Sequence, residues 1–260
     1  MENLSITTAY TISVCILLLS SFVSSFELAS VPKKYIDFVF PSITIQNKYI
    51  KWKAFNYSFL LLTLLSLVFL FTKELVFFKI TFILTTVGLF YLYKLRTIGK
   101  DGADQMRLLT FLSFSICFLI ESKMGMLLSV SFVGAQALIA YATSGIAKLR
   151  SIHWRRGNLL SDILGTYSYG IPKVSGFLKK HSFLEKMASY GAIATMISVP
   201  ICFFIPNPEY LYISLSCMFL FHFATALLMG LNDFLLTFPL TYPGVLILHG
   251  LLHGYVNLYN

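Results

Sequence analysis

Residues 55 to 94 read FNYSFLLLTLLSLVFLFTKELVFFKITFILTTVGLFYLYK, which is two apolar runs joined by Thr72, Lys73 and Glu74. Each run is about as long as the ~20 residues that cross a bilayer as a helix. Because the connection is so short, the two helices must lie side by side and antiparallel. This stretch therefore predicts a helical hairpin in a membrane, and we expect the rest of the chain to follow the same plan.

The composition supports that plan for the whole chain. Of the 260 residues, 57% are hydrophobic and only 12% are charged, and the mean hydropathy is +0.77. A soluble globular protein is excluded, since its charged fraction is nearer ~25%. We predict an all-α integral membrane protein, a polytopic helical bundle that forms a single transmembrane domain over residues 1–260. Its apolar segments lie near residues 7–29, 55–72, 75–94, 106–120, 124–147, 187–205, 210–230 and 234–256, which gives about eight transmembrane helices.

The basic residues alternate between connections in a way that predicts the topology. Of the 20 lysines and arginines, 17 fall in three connections, around residues 30–54, 94–107 and 148–186. The positive-inside rule places these connections in the cytoplasm and the amino terminus outside. The net charge of +9 is thus topological, and no nucleic-acid partner is expected. Aromatic residues among the lysines indicate that the segments 30–54 and 150–186 lie at the membrane interface.

The most informative polar motif runs from Tyr141 to Gly157. On a helix, Tyr141, Gly145 and Lys148 share one face, and the small residues around them allow close approach to a neighbouring helix. A lysine at such a packed edge is costly to desolvate in its charged form, and the neutral amine is the form that acts as a base. The alternative is that Lys148 only reaches the lipid head groups together with the arginines that follow it.

Other polar residues in or next to the apolar segments are also candidates. Asp104 either caps the amino terminus of a helix or belongs to a site. His222 lies in the middle of an apolar run, where it must find a partner, and intramembrane ionisable residues are functional candidates by default. His249 and His253 have the i, i+4 spacing of metal ligands, but no third ligand lies near them in the sequence. We therefore expect no metal site.

Together these motifs resemble a known membrane domain. The resemblance rests on Tyr141-x-x-Ser144-Gly145-Ile146-x-Lys148-Leu149 with Trp154-x-x-Gly157, on Gly102-Ala103-Asp104-Gln105, and on His222 ahead of Gly230 and Phe234. The chain resembles the HTTM domain family, the membrane domain shared with vitamin K-dependent gamma-glutamyl carboxylase, from about residue 50 onward. It looks like a short bacterial-type relative, which implies a bacterial cytoplasmic membrane.

The resemblance also implies a site. The lysine that matches Lys148 is the base that deprotonates the reduced quinone in the carboxylase, so Lys148 and His222 are the expected catalytic residues. Tyr141, Gly145, Asp104 and Trp154 are the expected substrate-binding residues, although the carboxylase has a histidine where this chain has Asp104. The implied cofactor is a vitamin K-like reduced quinone. The implied partners, besides the bilayer and this lipid-soluble ring compound, are a small secreted peptide and an accessory protein.

Two hypotheses about function stay open. In the first, the chain is a membrane-embedded enzyme that uses Lys148 on a quinone-like substrate, in oxidative or carboxylating modification of a peptide. In the second, it is a non-catalytic membrane component of peptide-toxin maturation, immunity or transport, and Lys148 and His222 are polar anchors between helices. The first predicts a small apolar cavity that both residues face, next to Gly145.

Overall fold

The structure is a computed structural model that describes residues 5–31, 48–95, 100–120, 122–166 and 170–256. All regular structure in these ranges is helical. Most of the predicted interfacial segment 30–54 lies outside the described residues. The α-helices are α1 (Ile6–Ala29), α2 (Lys48–Phe71), α3 (Leu75–Leu95), α4 (Gly102–Ile120), α5 (Lys123–Arg150), α6 (Ile152–Arg156), α7 (Leu159–Leu164), α8 (Pro172–Lys180), α9 (Ser182–Phe203), α10 (Pro208–Met229), α11 (Asn232–Thr237) and α12 (Tyr242–Leu252).

The predicted fold class is confirmed. Within the described ranges, 8 helical segments are long and apolar enough to cross a membrane. They are α1 to α5, α9, α10, and α11 with α12 taken together as Asn232–Leu252. The chain is therefore an all-α polytopic membrane protein, while its inside–outside orientation stays a prediction.

Several segments differ from their predicted bounds: α2 begins at Lys48 where residue 55 was expected, and α9 begins at Ser182 where residue 187 was expected. The fourth segment and the last one also differ. The fourth, expected from residue 106, begins at Gly102 and has 19 residues. The reason is that the Asp101 carboxylate accepts the backbone N–H groups of Ala103 and Asp104, which starts the helix one turn earlier. The last segment, expected to be continuous over 234–256, is interrupted by a 3₁₀ turn at Pro239–Thr241, since a proline cannot continue the hydrogen-bond ladder of a helix.

The chain divides into two compact units, Leu4–Val133 and Gly134–Asn260. We call them the amino-terminal unit and the carboxy-terminal unit. Helix α5 contributes residues to both. The prediction of a single transmembrane domain stays a prediction.

In the amino-terminal unit, α1 packs against α2, α2 against α3, α3 against α4, and α4 against α1. The hairpin predicted from residues 55–94 is present, and its chain reversal uses Lys73 in the left-handed region at φ 62°. Aromatic side chains fill the interior, with the rings of Phe82 and Phe111 4.8 Å apart. The core is thus made by the apolar faces of four adjacent helices.

In the carboxy-terminal unit, α9 and α10 form a second hairpin, and α10 also contacts α11. Most of the predicted interfacial segment 150–186 folds into the short helices α6, α7 and α8, while residues 167–169 lie outside the described ranges. The buried Glu185 carboxylate of α9 accepts the backbone N–H of Ser161 at 2.8 Å, and the Ser175 hydroxyl donates to the carbonyl of the same residue at 2.7 Å. These bonds tie α7 and α8 to the start of α9.

Two helices of the carboxy-terminal unit cross at glycines. A Cβ atom on Gly134 of α5 would lie 2.4 Å from the carbonyl carbon of Gly244 in α12. Real Cβ atoms do not come so close to a backbone, so only glycine allows this crossing. Small residues let membrane helices approach in this way.

We expect Gly134→Ala to lower the free energy of unfolding by about 1–3 kcal/mol, because the added methyl group must push α12 away. Gly191→Ala in α9 is the matched control. A Cβ atom there meets nothing within 4 Å, so the change should be neutral or should stabilise the helix by about 0.5–1 kcal/mol. Unfolding in mixed detergent micelles measures both. Equal stability of the two variants would contradict the crossing.

Candidate functional site

The Lys148 side chain lies half-buried at the end of α5. Its Nζ donates a hydrogen bond to the Ser144 hydroxyl at 2.9 Å and lies 5.2 Å from the centre of the Trp154 ring. Among the described residues, no carboxylate pairs with this amine. We call Lys148, Ser144 and Trp154 the amine cluster.

The local fold explains why Trp154 reaches Lys148. Helix α5 ends at Arg150, and α6, which carries Trp154, begins after a single intervening residue. Helix α6 ends at Gly157, which has φ 70°. A Cβ atom at that position would lie 2.6 Å from Cγ of Lys186, so glycine is needed both for the left-handed turn and for the contact with α9. Gly157 therefore allows α6 to pack against α9, while Trp154 of the same motif lies beside Lys148.

The second polar group is buried deeper in the same unit. The Tyr141 hydroxyl of α5 and Nε2 of His222 in α10 share a hydrogen bond of 3.2 Å, and only 2% of His222 is exposed. Among the described residues, Nδ1 of His222 has no hydrogen-bond partner. The requirement that a mid-span histidine find a partner is met by Tyr141.

Aromatic rings enclose this hydrogen bond. The His222 ring stacks on Phe238 at 4.7 Å with an interplanar angle of 17°, and Phe234 stacks in turn on Phe238 at 5.3 Å. Tyr242 adds a buried hydroxyl beside Tyr141. We call Tyr141, His222, Phe234, Phe238 and Tyr242 the histidine cluster.

Sequence reasoning missed Phe238 and Tyr242. Together with Phe234 they repeat every four residues, a spacing that places side chains on one helical face and was the available signal. The chain reaches this position because α10 ends at Gly230 with φ 69°, which turns α11 back toward His222.

The space between the two clusters is filled by packing. Tyr141 and Lys148 are seven residues apart, about 10 Å along the helix. Gly145 lies between them, and a Cβ atom there would be 2.7 Å from Ile197 and 3.3 Å from Met196. Thus the gap expected beside Gly145 is occupied by α9 in this structure, and Gly145 serves a close helix contact.

Asp104 belongs to the amino-terminal unit. It forms a buried ion pair with Arg107 at 2.8 Å, with side chains 6% and 1% exposed respectively. Sequence reasoning assigned Arg107 to a basic connection, but it lies inside α4 and also donates to the Ser20 carbonyl of α1 at 3.2 Å. The spacing of Asp104 and Arg107, i and i+3 on a helix, was the signal for their pairing. The substrate-binding role of Asp104 stays a prediction.

The carboxy-terminal histidines bond to the backbone. His249 Nε2 donates to the carbonyl of Ile205 at 2.9 Å, and His253 Nε2 donates to that of Phe203 at 3.3 Å. The His253 bond goes to the last residue of α9, whose final carbonyls lack partners within the helix, and the His249 bond goes to the turn that follows it. No group of three or more histidine, cysteine, aspartate or glutamate side chains that could hold a metal ion occurs in the part of the chain that the structure describes.

Comparisons of this chain with protein-family models, with curated proteins and with solved structures find no match. The resemblance to the HTTM domain stays a prediction that rests on the motifs quoted above.

We expect Tyr141→Phe to lower the free energy of unfolding by about 1–3 kcal/mol, because it leaves the buried Nε2 of His222 without its partner. The double variant Tyr141→Phe/His222→Phe should recover part of that loss, because both hydrogen-bonding groups are then absent and apolar phenyl rings take their places. Unfolding in mixed micelles, analysed as a double-mutant cycle, measures the coupling. As a control, Tyr212→Phe removes a hydroxyl from a side chain that is 44% exposed. If Tyr141→Phe costs no more than this control, the hydrogen bond does not stabilise the unit.

Proposed function

We propose that this chain is a membrane-embedded enzyme that acts on a quinone-like, lipid-soluble ring compound and uses Lys148 as its base. The observation that carries the proposal is the amine cluster. Lys148 has a hydroxyl oxygen and an aromatic face as partners, and it has no pairing carboxylate among the described residues. Its amine is therefore not committed to a permanent ion pair.

The amine cluster fits the chemistry of proton removal from a ring hydroxyl. The neutral amine of Lys148 would accept that proton on Nζ, which becomes an ammonium group. The ammonium is then held by the two groups already in place, since the Ser144 oxygen accepts one of its N–H bonds and the Trp154 ring face attracts the charge. A reduced quinone would supply the electrons for the oxidative chemistry that follows, with dioxygen as the oxidant.

The histidine cluster would hold the helix that carries Lys148. Tyr141 and Lys148 are on the same helix, so the hydrogen bond to His222 fixes the rotation of α5 against α10. In this proposal His222 is a positioning residue that acts through Tyr141. The resemblance to the carboxylase adds a small secreted peptide as the modified partner, an accessory protein, and the bacterial cytoplasmic membrane as the location.

A second candidate function is supported by a specific contact. Ile197 packs against Gly145 at the position where a ligand cavity was expected. Tyr141 and His222 are also hydrogen-bonded to each other, as polar side chains that hold membrane helices together are. This favours a non-catalytic component of peptide-toxin maturation, immunity or transport, in which Lys148 contributes only its charge.

Lys148→Arg separates the two candidates. Arginine keeps the positive charge but does not release its proton near neutral pH. In liposomes supplied with a reduced naphthoquinone, we expect the rate of oxygen uptake by this variant to fall about 10²–10⁴-fold, which is the contribution of a general base. An oxygen electrode measures the uptake, and size-exclusion chromatography measures the folded yield, which should not change.

Lys123→Arg is the matched control, because it makes the same change at the first residue of the same helix. Its oxygen uptake should equal that of the unaltered protein. Full oxygen uptake by Lys148→Arg would assign Lys148 to the charge-only role. Uptake by the unaltered protein that does not exceed that of protein-free liposomes would reject the enzyme proposal as a whole.

A further inference from the structure

The amino-terminal unit contains a small polar cavity within its membrane-spanning helices. Three serines of α1 line one side of it, and the Asp104–Arg107 pair of α4 lines another, with leucine and aromatic side chains completing the wall. The serines are Ser21, Ser24 and Ser25. The cavity has a volume of about 20 Å³, and a single water molecule needs about 10–15 Å³ on this measure.

The Ser21 hydroxyl departs from the pattern of most buried hydroxyls in the amino-terminal unit. Most serines and threonines in these helices donate to the carbonyl one turn earlier, as Ser25 does to Ser21 and Thr110 does to Met106. Ser21 is 1% exposed, and its hydroxyl has no hydrogen-bond partner among the described residues. A buried hydroxyl without a partner is destabilising, and Ser21 lines the cavity, so a ligand there that bonds to this hydroxyl would be stabilising.

The charges around the cavity select the kind of ligand. Arg107 disfavours a cation, and Asp104 disfavours an anion. Because the two side chains form an ion pair at 2.8 Å, their charges offset each other, which favours a neutral guest. The guest must be able both to donate and to accept hydrogen bonds, since serine hydroxyls and a carboxylate face it.

We propose that this cavity binds one ordered water molecule, which bridges the Ser21 hydroxyl to the Asp104–Arg107 pair. The size of the cavity, the buried Ser21 hydroxyl and the neutral ion pair all fit water. Buried waters typically make about three hydrogen bonds to polar groups that would otherwise lack partners. The bound water extends the hydrogen-bond network of a charged pair that lies among apolar helices, where leaving a charge unsolvated is costly.

The sign of a stability change tests this proposal. If the Ser21 hydroxyl binds the water, Ser21→Ala removes one hydrogen-bond partner of that water. The midpoint of thermal unfolding in detergent should then fall by about 2–4 °C. If the hydroxyl is dry, Ser21→Ala removes a buried group that had no bond, and the midpoint should stay the same or rise. The latter result would overturn the proposal.

Ser189→Ala is the matched control. The Ser189 hydroxyl in α9 is also buried and also has no partner among the described residues, but Ser189 does not line this cavity. Its replacement should leave the midpoint unchanged or raise it. Equal shifts for the two variants would overturn the proposal.

A direct measurement keeps the proposal testable if Ser21→Ala fails to fold. In an experimental density map of the unaltered protein that resolves ordered waters elsewhere, a peak should lie within hydrogen-bond distance of the Ser21 hydroxyl and the Asp104–Arg107 pair. A clean map without such a peak would reject the water site.

Discussion

The constraint on which this structure depends is that the hydrocarbon interior of a membrane offers no water to polar groups. The backbone satisfies this constraint by forming helices, in which its N–H and C=O groups bond to each other. Many buried hydroxyls satisfy it by donating to a carbonyl of their own helix, as Thr85 does to Thr81. The stronger polar groups meet it in pairs, with Asp104 bound to Arg107 in one unit and Tyr141 bound to His222 in the other. The Tyr141–His222 bond joins α5 to α10, and Arg107 joins α4 to α1 by its bond to the Ser20 carbonyl. Breaking either bond would leave a buried group with one partner fewer.

Lys148 differs from these pairs in the kind of partners that its charged group has. It lies at the end of α5, half-buried, and its partners are a hydroxyl and a ring face. No carboxylate pairs with it in the part of the chain that the structure describes, and in the proposed reaction a proton would arrive and leave without breaking an ion pair there. The same helix is anchored seven residues earlier by Tyr141, and it packs against α9 at Gly145. A helix anchored by Tyr141 and by packing at Gly145, with an amine at its end that is held by a hydroxyl and a ring face, is the physical basis of the proposed enzyme.

Much of the fold could be predicted from the sequence, because hydropathy and the lengths of the connections decide where spanning helices lie. The need of His222 for a partner was also predictable. The burial of Arg107 was not, since a cation near the start of an apolar run is equally consistent with a loop. The stacking of Phe238 on His222 was not predicted either, because it depends on the break at Pro239 and on the reversal at Gly230. For Gly145, helical spacing told which face it shares with Lys148, but not that Ile197 would occupy that space.

The most direct test of the proposed site is photolabelling with a photoreactive naphthoquinone in membranes that contain the unaltered protein. Mass spectrometry would locate the labelled residues, and unlabelled naphthoquinone would serve as the competitor. If a ring compound binds beside the amine of Lys148, labelling should concentrate on α6 around Trp154 and on the last turn of α5, and the competitor should suppress it. Labelling that spreads evenly over the exposed apolar residues of α2 and α3, and that the competitor does not reduce, would contradict a quinone site at Lys148.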